Sequence, residues 1–315
     1  MKRRITAILI ALLTAAGCLP SGKPGALLVV RDNLGRPGRE VSLEAVLLKA
    51  GPIGYLGPDV VVGEPLIISI DGEGLAETMT NHLGTASAAF VPRRTGSYRI
   101  GARLKTDRRY RLAEASGILS VSESGRVTVV VEVQGGLIEG TRIACRCLGR
   151  QGCRSPEGAA RVLGLLETRY DLLFLSLEGD RCTPAIKSFL DAGDLGDRPV
   201  VALDRRAVEE IKGGATAKAL KKRVQSLGES IEGPAVALTA NPSHGEIYCE
   251  AGWLSLGFDP EAEEAGIDLK GSASIAWGEV EEALLSPGPL RQREIGSRIR
   301  ESCAREDNKE KRDEH

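Results

Sequence analysis

An apolar run that ends in two glycines is the feature that most restricts what this chain can fold into. Residues 127–133 read Val-Thr-Val-Val-Val-Glu-Val, and Gly135 and Gly136 follow after Gln134. β-Branched side chains favour strands, and a strand that is apolar at consecutive positions is buried on both of its faces. We therefore expect a buried strand of a parallel sheet that leads into a glycine turn and carries Glu132 and Gln134 at its carboxyl end.

The segment after Ser124 alternates between apolar strands and amphipathic helices. A first helix is predicted after a cap at Ser155, with its apolar face on Ala159, Val162, Leu163 and Leu166. Further strands are predicted over residues 172–175, 199–203, 235–238 and 254–257, and further helices over 183–192, 205–211, 217–227 and 244–251. This alternation is typical of an α/β Rossmann-like domain with a parallel sheet, which we place at residues 125–295. A ligand site in such a sheet lies at the carboxyl ends of the strands.

Residues 26–124 follow a different pattern, in which short β-rich runs recur about every ten residues and are separated by turn sequences. Strands are predicted over 26–31, 41–48, 66–71, 85–91, 97–104, 109–113 and 117–121. About seven strands without a helical period indicate a β-sandwich of immunoglobulin-like (Ig-like) type. The strand from Gly84 to Phe90 and the corner from Pro92 to Tyr98 also resemble bacterial Ig-like modules of surface and secreted proteins. We expect these residues to hold the sandwich together rather than to catalyse a reaction.

The first 17 residues are predicted to be a secretory signal peptide. A basic segment at residues 2–4 precedes an apolar run at 5–13, which is too short to cross about 30 Å of hydrocarbon. The small residues before Cys18 resemble the bacterial lipobox, which implies that Cys18 is lipidated and that residues 18–25 form a linker. The alternative is an ordinary cleaved signal peptide with an incidental cysteine. We expect an exported protein, held by its lipid at a periplasmic, outer-membrane or cell-surface position.

The remaining six cysteines all lie beyond residue 140. An even number of cysteines in an oxidising compartment favours disulfides, although the sequence does not fix their pairing. Their spacing does not fit a standard zinc site, so we expect no metal there. The candidate disulfide cysteines are Cys145, Cys147, Cys153, Cys182, Cys249 and Cys303.

Composition excludes two classes of binding surface. The net charge is −1 with acidic and basic residues interspersed, so no nucleic-acid surface is expected. Aromatic residues make up 3% of the chain, too few for the platforms on which single strands or sugar chains stack. Residues 296–315 are predicted to be a charged tail.

The order of motifs in the second half resembles the HAD phosphatase superfamily, and in particular its lipin-like branch. In that family an aspartate after the first strand attacks phosphorus, and a second aspartate two residues on is the general acid and base. A Ser or Thr after the second strand binds the phosphoryl group, a lysine neutralises charge, and acidic residues near the fourth strand hold Mg²⁺. The corresponding positions in this chain are Glu132, Gln134, Ser176, the helix that carries Lys218, Lys221 and Lys222, and the segment from Ala240 to His244, followed by Tyr248 and Gly252.

The departures from this pattern determine the predicted function. Glu132 is one methylene longer than aspartate, Gln134 has no proton to transfer, and His244 replaces an acidic residue. Ser176 retains only the capacity to bind an oxyanion. The resemblance therefore implies a pseudoenzyme without a cofactor, which acts by binding an envelope protein or a phosphorylated ligand. The alternative is a divergent Mg²⁺-dependent phosphatase that uses Glu132, and a purely structural role is the third possibility.

Overall fold

The computed structural model describes residues 25–49, 60–106, 109–110, 112, 114–123, 125–134, 137–138, 158–203, 215–231, 233–258, 274–275, 280 and 284. The predicted signal peptide, the lipidation site at Cys18, the charged tail, the helix at 205–211 and four of the cysteines, Cys145, Cys147, Cys153 and Cys303, lie outside these residues. Within the described part of the chain, no helix is long and apolar enough to span a membrane.

The first half of the described chain is a β-sandwich of two sheets. The three-stranded sheet has the order β1 (Ala26–Val30), β3 (Val41–Lys49), β6 (Thr85–Phe90). The five-stranded sheet has the order β2 (Asn33–Gly35), β8 (Ala115–Val121), β7 (Gly96–Leu104), β4 (Pro65–Ile70), β5 (Glu73–Met79). All pairs are antiparallel except β2 with β8. Apolar residues at alternating positions of both sheets, among them Leu43, Leu66, Ile100 and Leu119, form a single core between the sheets.

The sequence prediction was wrong in three places in the sandwich. The short strand β2 and the edge strand β5 were missed. In β5 the residues of Glu73–Met79 are exposed or half-buried, so an apolar alternation is absent there. The strand predicted over 109–113 was also wrong, because Arg109, Tyr110 and Leu112 lie outside any strand.

The second half is a parallel six-stranded sheet with helices on both faces. Its strands are β9 (Thr128–Glu132), β10 (Asp171–Ser176), β11 (Val200–Ala202), β12 (Ala235–Thr239), β13 (Leu254–Phe258) and β14 (Ser274–Ile275), in the order β11-β10-β9-β12-β13-β14. The helices are α1 (Ala159–Glu167), α2 (Thr183–Ala192), α3 (Ala215–Ser230) and α4 (Pro242–Glu250), and the three residues Asp180–Cys182 form a 3-10 helix before α2. The buried run 127–133 is confirmed as a central strand, since β9 pairs with both β10 and β12.

Two separate cores cover the faces of this sheet. Helices α1 and α2 pack on one face, and α3 and α4 pack on the other. Alternate residues of β9 serve the two cores, with Val129 and Val131 in the first and Val130 in the second. The chain order reverses between β9 and β12, and open α/β sheets bind ligands at the carboxyl ends of the strands beside such a reversal.

The helix starts differ in detail from the sequence prediction. The cap predicted at Ser155 is wrong, because α1 begins at Ala159 with Gly158 as its N-cap. Gly158 has a φ of 79°, a left-handed conformation that glycine adopts without steric cost. Helix α4 begins at Pro242, where Asn241 is the N-cap and its side chain accepts a hydrogen bond from the backbone N–H of Ser243.

Two adjacent residues after β1 connect the sandwich to the α/β domain. Asp32 Oδ1 accepts hydrogen bonds from the backbone N–H of Ile118 at 2.7 Å and from Lys187 Nζ at 2.5 Å. Asp32 Oδ2 accepts one from the backbone N–H of Val200 at 2.7 Å, so this buried carboxylate bonds to both domains. Burial raises the pKa of Asp32, and the ion pair with Lys187 offsets part of that rise. Arg31 donates to Asp180 on the α/β side and to Glu44 on the sandwich side, each at 2.7 Å.

Candidate functional site

The polar residues at the carboxyl edge of the parallel sheet converge on Glu132. Its carboxylate is 1% exposed and accepts hydrogen bonds from Tyr248 Oη at 2.5 Å and from Thr239 Oγ1 at 2.7 Å. His244 Nδ1 lies 3.0 Å from Glu132 Oε1. Residues more than 100 positions apart in the sequence thus meet because β9 and β12 are neighbours and α4 follows β12 directly. This confirms that Glu132 and His244 lie at the same end of the sheet.

The contacts of Asn241 determine which nitrogen of His244 carries the proton. Because the backbone N–H of Ser243 can only donate, Asn241 Oδ1 accepts from it, and Asn241 Nδ2 is left to face His244 Nε2 at 3.0 Å. The amide donates in that contact, so Nε2 is the acceptor and carries no proton. His244 is therefore the Nδ1–H tautomer, which donates its proton to Glu132. This arrangement leaves His244 Nε2 engaged and not available as a general base.

Tyr248, on the same helix as His244, completes the hydrogen bonding of Glu132. Its side chain is fully buried, and its ring stacks on Trp253 with the centroids 5.7 Å apart. Burial raises the pKa of Tyr248 well above its ordinary value, and the neighbouring Glu132 carboxylate raises it further. Tyr248 therefore remains a neutral hydrogen-bond donor to Glu132 at physiological pH.

Gln134 and Ser176 form a second closed unit beside the first. Gln134 Oε1 accepts a hydrogen bond from the backbone N–H of Leu177 at 2.8 Å, while Gln134 Nε2 donates to Ser176 Oγ at 3.2 Å. Ser176 has no exposed surface, and its Oγ also accepts from the backbone N–H of Glu178 at 3.1 Å. Ser176 is therefore not an open oxyanion-binding group, contrary to the expectation from the sequence. The Leu177 N–H is taken by Gln134 Oε1, and the Ser176 hydroxyl donates to the backbone carbonyl of Glu178 at 3.3 Å, so both donors that an anion would need are engaged.

The lysines at the position of the resembled lysine motif are exposed to solvent. Lys218, Lys221 and Lys222 are exposed on α3, and Lys221 Nζ pairs with Glu250 at 2.5 Å. Among the described residues, no group of three or more His, Cys, Asp or Glu side chains could hold a metal ion. Within the described part of the chain Glu132 therefore belongs to no such group, whereas Mg²⁺ needs several hard oxygen ligands.

Reasoning from the sequence placed Glu132, Gln134, Ser176 and His244 at one edge, and the structure finds them there. It missed that the hydroxyl of Thr239 bonds to Glu132 and that the Asn241 side chain both caps α4 and orients His244. An Asn-Pro pair directly after an apolar strand is a helix-start signal that could have identified the cap. Although Glu132 is the last residue of its strand, its side chain does not face solvent.

Two of the candidate disulfide cysteines lie in the described residues. Cys182 is buried and disulfide-bonded at the start of α2. Cys249 is a partly buried thiol on α4, next to Tyr248. The disulfides of the other candidates stay a prediction.

Comparisons with known proteins give no family. No family model matches the chain, and no curated protein is similar to it. Among solved structures, a CARDB domain from Pyrococcus furiosus is 18% identical over 31% of this chain and 94% of its own, with a TM-score of 0.21. Fibronectin(III)-like modules of Clostridium thermocellum CbhA are 10% identical over 30% of this chain and 96% of their own, with a TM-score of 0.22. A putative β-galactosidase from Bacteroides fragilis is 10% identical over 69% of this chain and 39% of its own, with a TM-score of 0.24. Likenesses this weak carry no argument about this chain, and its fold follows from strand pairing alone.

Proposed function

We propose that this chain is an exported, lipid-anchored bacterial envelope protein with an Ig-like module and a catalytically degenerate HAD-like phosphatase module that acts by binding. The observation that carries the proposal is the saturation of Glu132, whose two oxygens are engaged by Tyr248, Thr239 and His244 in a buried position. A nucleophilic carboxylate must present a lone pair to the phosphorus atom at close range, and Glu132 has no solvent-facing oxygen with which to do so.

The placement of the degenerate positions supports descent from a HAD-like ancestor. Glu132 ends the first strand of the parallel sheet, Ser176 ends the second, and His244 follows the fourth. These are the strand ends at which the resembled family keeps its nucleophile, its phosphoryl-binding hydroxyl and its acidic metal ligands. The scaffold positions remain, while the side chains now bond to one another rather than to a substrate.

The same geometry supports a loss of phosphate binding as well as of turnover. The backbone N–H of Leu177 and the hydroxyl of Ser176 are the donors that an oxyanion would require, but the first donates to Gln134 Oε1 and the second to the backbone carbonyl of Glu178. An anion would have to displace both of these acceptors and would leave the Gln134 carbonyl oxygen and the Glu178 carbonyl without a donor. The HAD-like module therefore binds its partner elsewhere than at this edge.

A phosphatase assay distinguishes this proposal from its alternative, a divergent Mg²⁺-dependent phosphomonoesterase that uses Glu132. The mature protein and the Glu132→Ala variant are incubated with Mg²⁺ and p-nitrophenyl phosphate at several pH values. We expect equal, background rates for the two proteins. Turnover by the mature protein that the substitution abolishes would contradict the pseudoenzyme proposal.

A fractionation experiment tests the anchor separately. Acylation at Cys18 would hold the mature chain on the membrane, since several acyl chains give stable anchoring where one gives only marginal binding. The full chain and its Cys18→Ser variant are expressed in a bacterial host, and the membrane and soluble fractions are compared. The wild-type protein is expected in the membrane fraction and the variant in the soluble fraction. An unchanged membrane fraction for the variant would show that the anchor is not at Cys18.

A further inference from the structure

A cleft between the two halves of the described chain lies at the opposite edge of the parallel sheet from Glu132. A cleft of about 450 Å³ is bounded by the start of β7 and the end of β8 on the sandwich side, and by Arg126, Asp171 and Arg198 on the α/β side. Asp171 begins β10 and Arg126 precedes β9, so the cleft lies at the amino ends of the strands. The five residues of β9 separate it from Glu132 by roughly 15 Å, at about 3.3 Å per residue.

The sandwich wall of this interdomain cleft is lined with hydroxyl groups. Ser97 on β7 and Ser120 on β8 are directly opposed in the strand register, and Thr95 and Ser122 flank them. Ser97 and Thr95 are exposed, and Ser120 and Ser122 are half-buried. Each hydroxyl can both donate and accept a hydrogen bond, so this wall does not select for either sign of charge.

The α/β wall carries charges that neutralise each other. Arg126 Nε pairs with Asp171 Oδ1 at 3.2 Å, and Arg198 pairs with Glu167. An anionic ligand would have to displace these carboxylates from the arginines, and two further carboxylates, Glu123 and Asp197, also line the cleft. A metal ion is not supported either, because the described residues hold no group of three potential ligands.

Two buried polar atoms in the same wall lack hydrogen-bond partners within the described part of the chain. They are Asp171 Oδ2, an acceptor, and Arg198 Nε, a donor. Because both atoms are buried, a ligand in the cleft would bond instead to the exposed carboxylate and guanidinium groups that line it, of which the first accept and the second donate hydrogen bonds. A ligand whose groups donate and accept equally well, such as a hydroxyl-rich molecule, fits a wall of this composition.

The two domains are held so that the cleft keeps its shape without a ligand. Asp32 bonds to Ile118, Lys187 and Val200, and Arg31 bonds to Asp180 and Glu44, which joins the two walls outside the cleft. A preformed cleft lowers the ordering cost of binding, and its volume falls in the range of small-molecule sites.

We propose that the interdomain cleft binds a small neutral saccharide through hydrogen bonds from the Ser97 and Ser120 wall and from the Arg126–Asp171 and Arg198–Glu167 pairs. The described residues that line the site offer no aromatic ring on which a sugar could stack. Its aromatic residue, Tyr170, is buried, and the Tyr170 hydroxyl donates to the backbone carbonyl of Leu284. Without stacking the affinity is modest, with a Kd of about 1 mM. The site is distinct from the Glu132 edge, so the inference does not depend on the outcome of the phosphatase assay.

The test is a titration of the mature chain, followed by calorimetry or by protein-observed NMR. The probes are glucose, N-acetylglucosamine and maltose, with glucose 6-phosphate as the anionic probe and spermidine as the cationic one. At least one neutral sugar is expected to bind with a Kd of about 1 mM or tighter, and more tightly than either charged probe. Absence of sugar binding up to about 10 mM would overturn the proposal, and so would tighter binding of either charged probe.

Variants of the cleft wall locate the binding. Ser97→Trp fills the cleft and is expected to weaken sugar binding at least tenfold. The matched control is Ser87→Trp on the exposed face of β6, which should bind the sugar as the wild type does. The milder double variant Ser97→Ala/Ser120→Ala removes two hydroxyls without adding bulk, and it keeps the test valid if the tryptophan variant does not fold. Sugar binding that is unchanged in both cleft variants would also overturn the proposal.

Discussion

Replacement of Glu132 by alanine is expected to destabilise the α/β domain strongly. The substitution removes the acceptor of three buried donors, on Tyr248, Thr239 and His244. Thr239 Oγ1 has a second acceptor within reach, the carbonyl oxygen of Asn241 at 3.4 Å, so two donors are left without a partner. Each such group costs about 1–3 kcal/mol, and a loss of about 2–6 kcal/mol is a large part of a total stability of about 5–15 kcal/mol.

The sign of this effect separates a structural Glu132 from a functional one. Residues that serve activity often lower the free energy of unfolding, so their replacement by alanine is often neutral or stabilising. In this chain the carboxylate satisfies its neighbours, and its removal is expected to lower the free energy of unfolding. The milder Glu132→Gln variant is expected to lose less, because the amide oxygen still accepts hydrogen bonds and the Tyr248 hydroxyl can turn to accept from the amide.

Denaturant unfolding followed by tryptophan fluorescence measures the change. Trp253 is buried against Tyr248 and reports on this region, and Trp277→Phe as a common background removes the second tryptophan of the chain. The control is Glu77→Ala, whose carboxylate pairs with Lys105 at 2.6 Å but is 52% exposed, so a change below about 1 kcal/mol is expected. An unfolding midpoint for Glu132→Ala equal to or above that of the wild type would refute the structural role of Glu132.

Three further predictions follow from the described contacts. Lys187→Ala leaves the Asp32 carboxylate buried without its cation and should cost about 3–5 kcal/mol in chemical unfolding. Asp32→Asn in the same chain should restore only part of this loss, because the amide can accept from just one of the backbone N–H groups of Ile118 and Val200. The pKa of Tyr248 is higher in the folded protein than in the unfolded chain, so the stability that comes from this difference is complete below about pH 10 and is lost as the pH rises through the folded pKa. In the Tyr248→Phe variant, the fall of the thermal midpoint above about pH 10 should therefore be less steep. Tyr98→Phe removes the hydroxyl that bonds to both backbone groups of Arg94 and should lower the unfolding free energy by about 1 kcal/mol, whereas an unchanged value would show that this corner is not stabilising.

Much of the architecture could be read from the sequence because burial leaves a periodic signal. Strands β9, β10, β12 and β13 lie within one residue of their predicted bounds, since each is a short apolar run. Helix α2 was predicted over the residues it occupies, with a Pro near its start. The edge strand β5 was missed because neither of its faces is buried, and the α1 cap was misplaced because Ser155 and Gly158 both carry plausible helix-start chemistry.

The sequence by itself determined which residues would gather at the carboxyl edge of the sheet. Parallel strands present their carboxyl ends on one edge, so the order of strands and polar residues along the chain was enough to place Glu132, Gln134, Ser176 and His244 together. It also determined that Glu132 and Gln134, and no aspartate, occupy the end of β9, because the identity of a residue does not depend on the fold.

Only the tertiary structure decided what these residues do once they meet. The hydrogen bonds that close the site are sensitive to differences of a few tenths of an ångström in the distances between side chains. These side chains, such as Tyr248 and Glu132, lie more than 100 residues apart in the sequence. Local sequence carries no information on such distances, since they are set by how α4 packs against the sheet. The interdomain cleft also depends on the tertiary structure, because residues of β7 and β8 face Arg126, Asp171 and Arg198 there across the domain boundary.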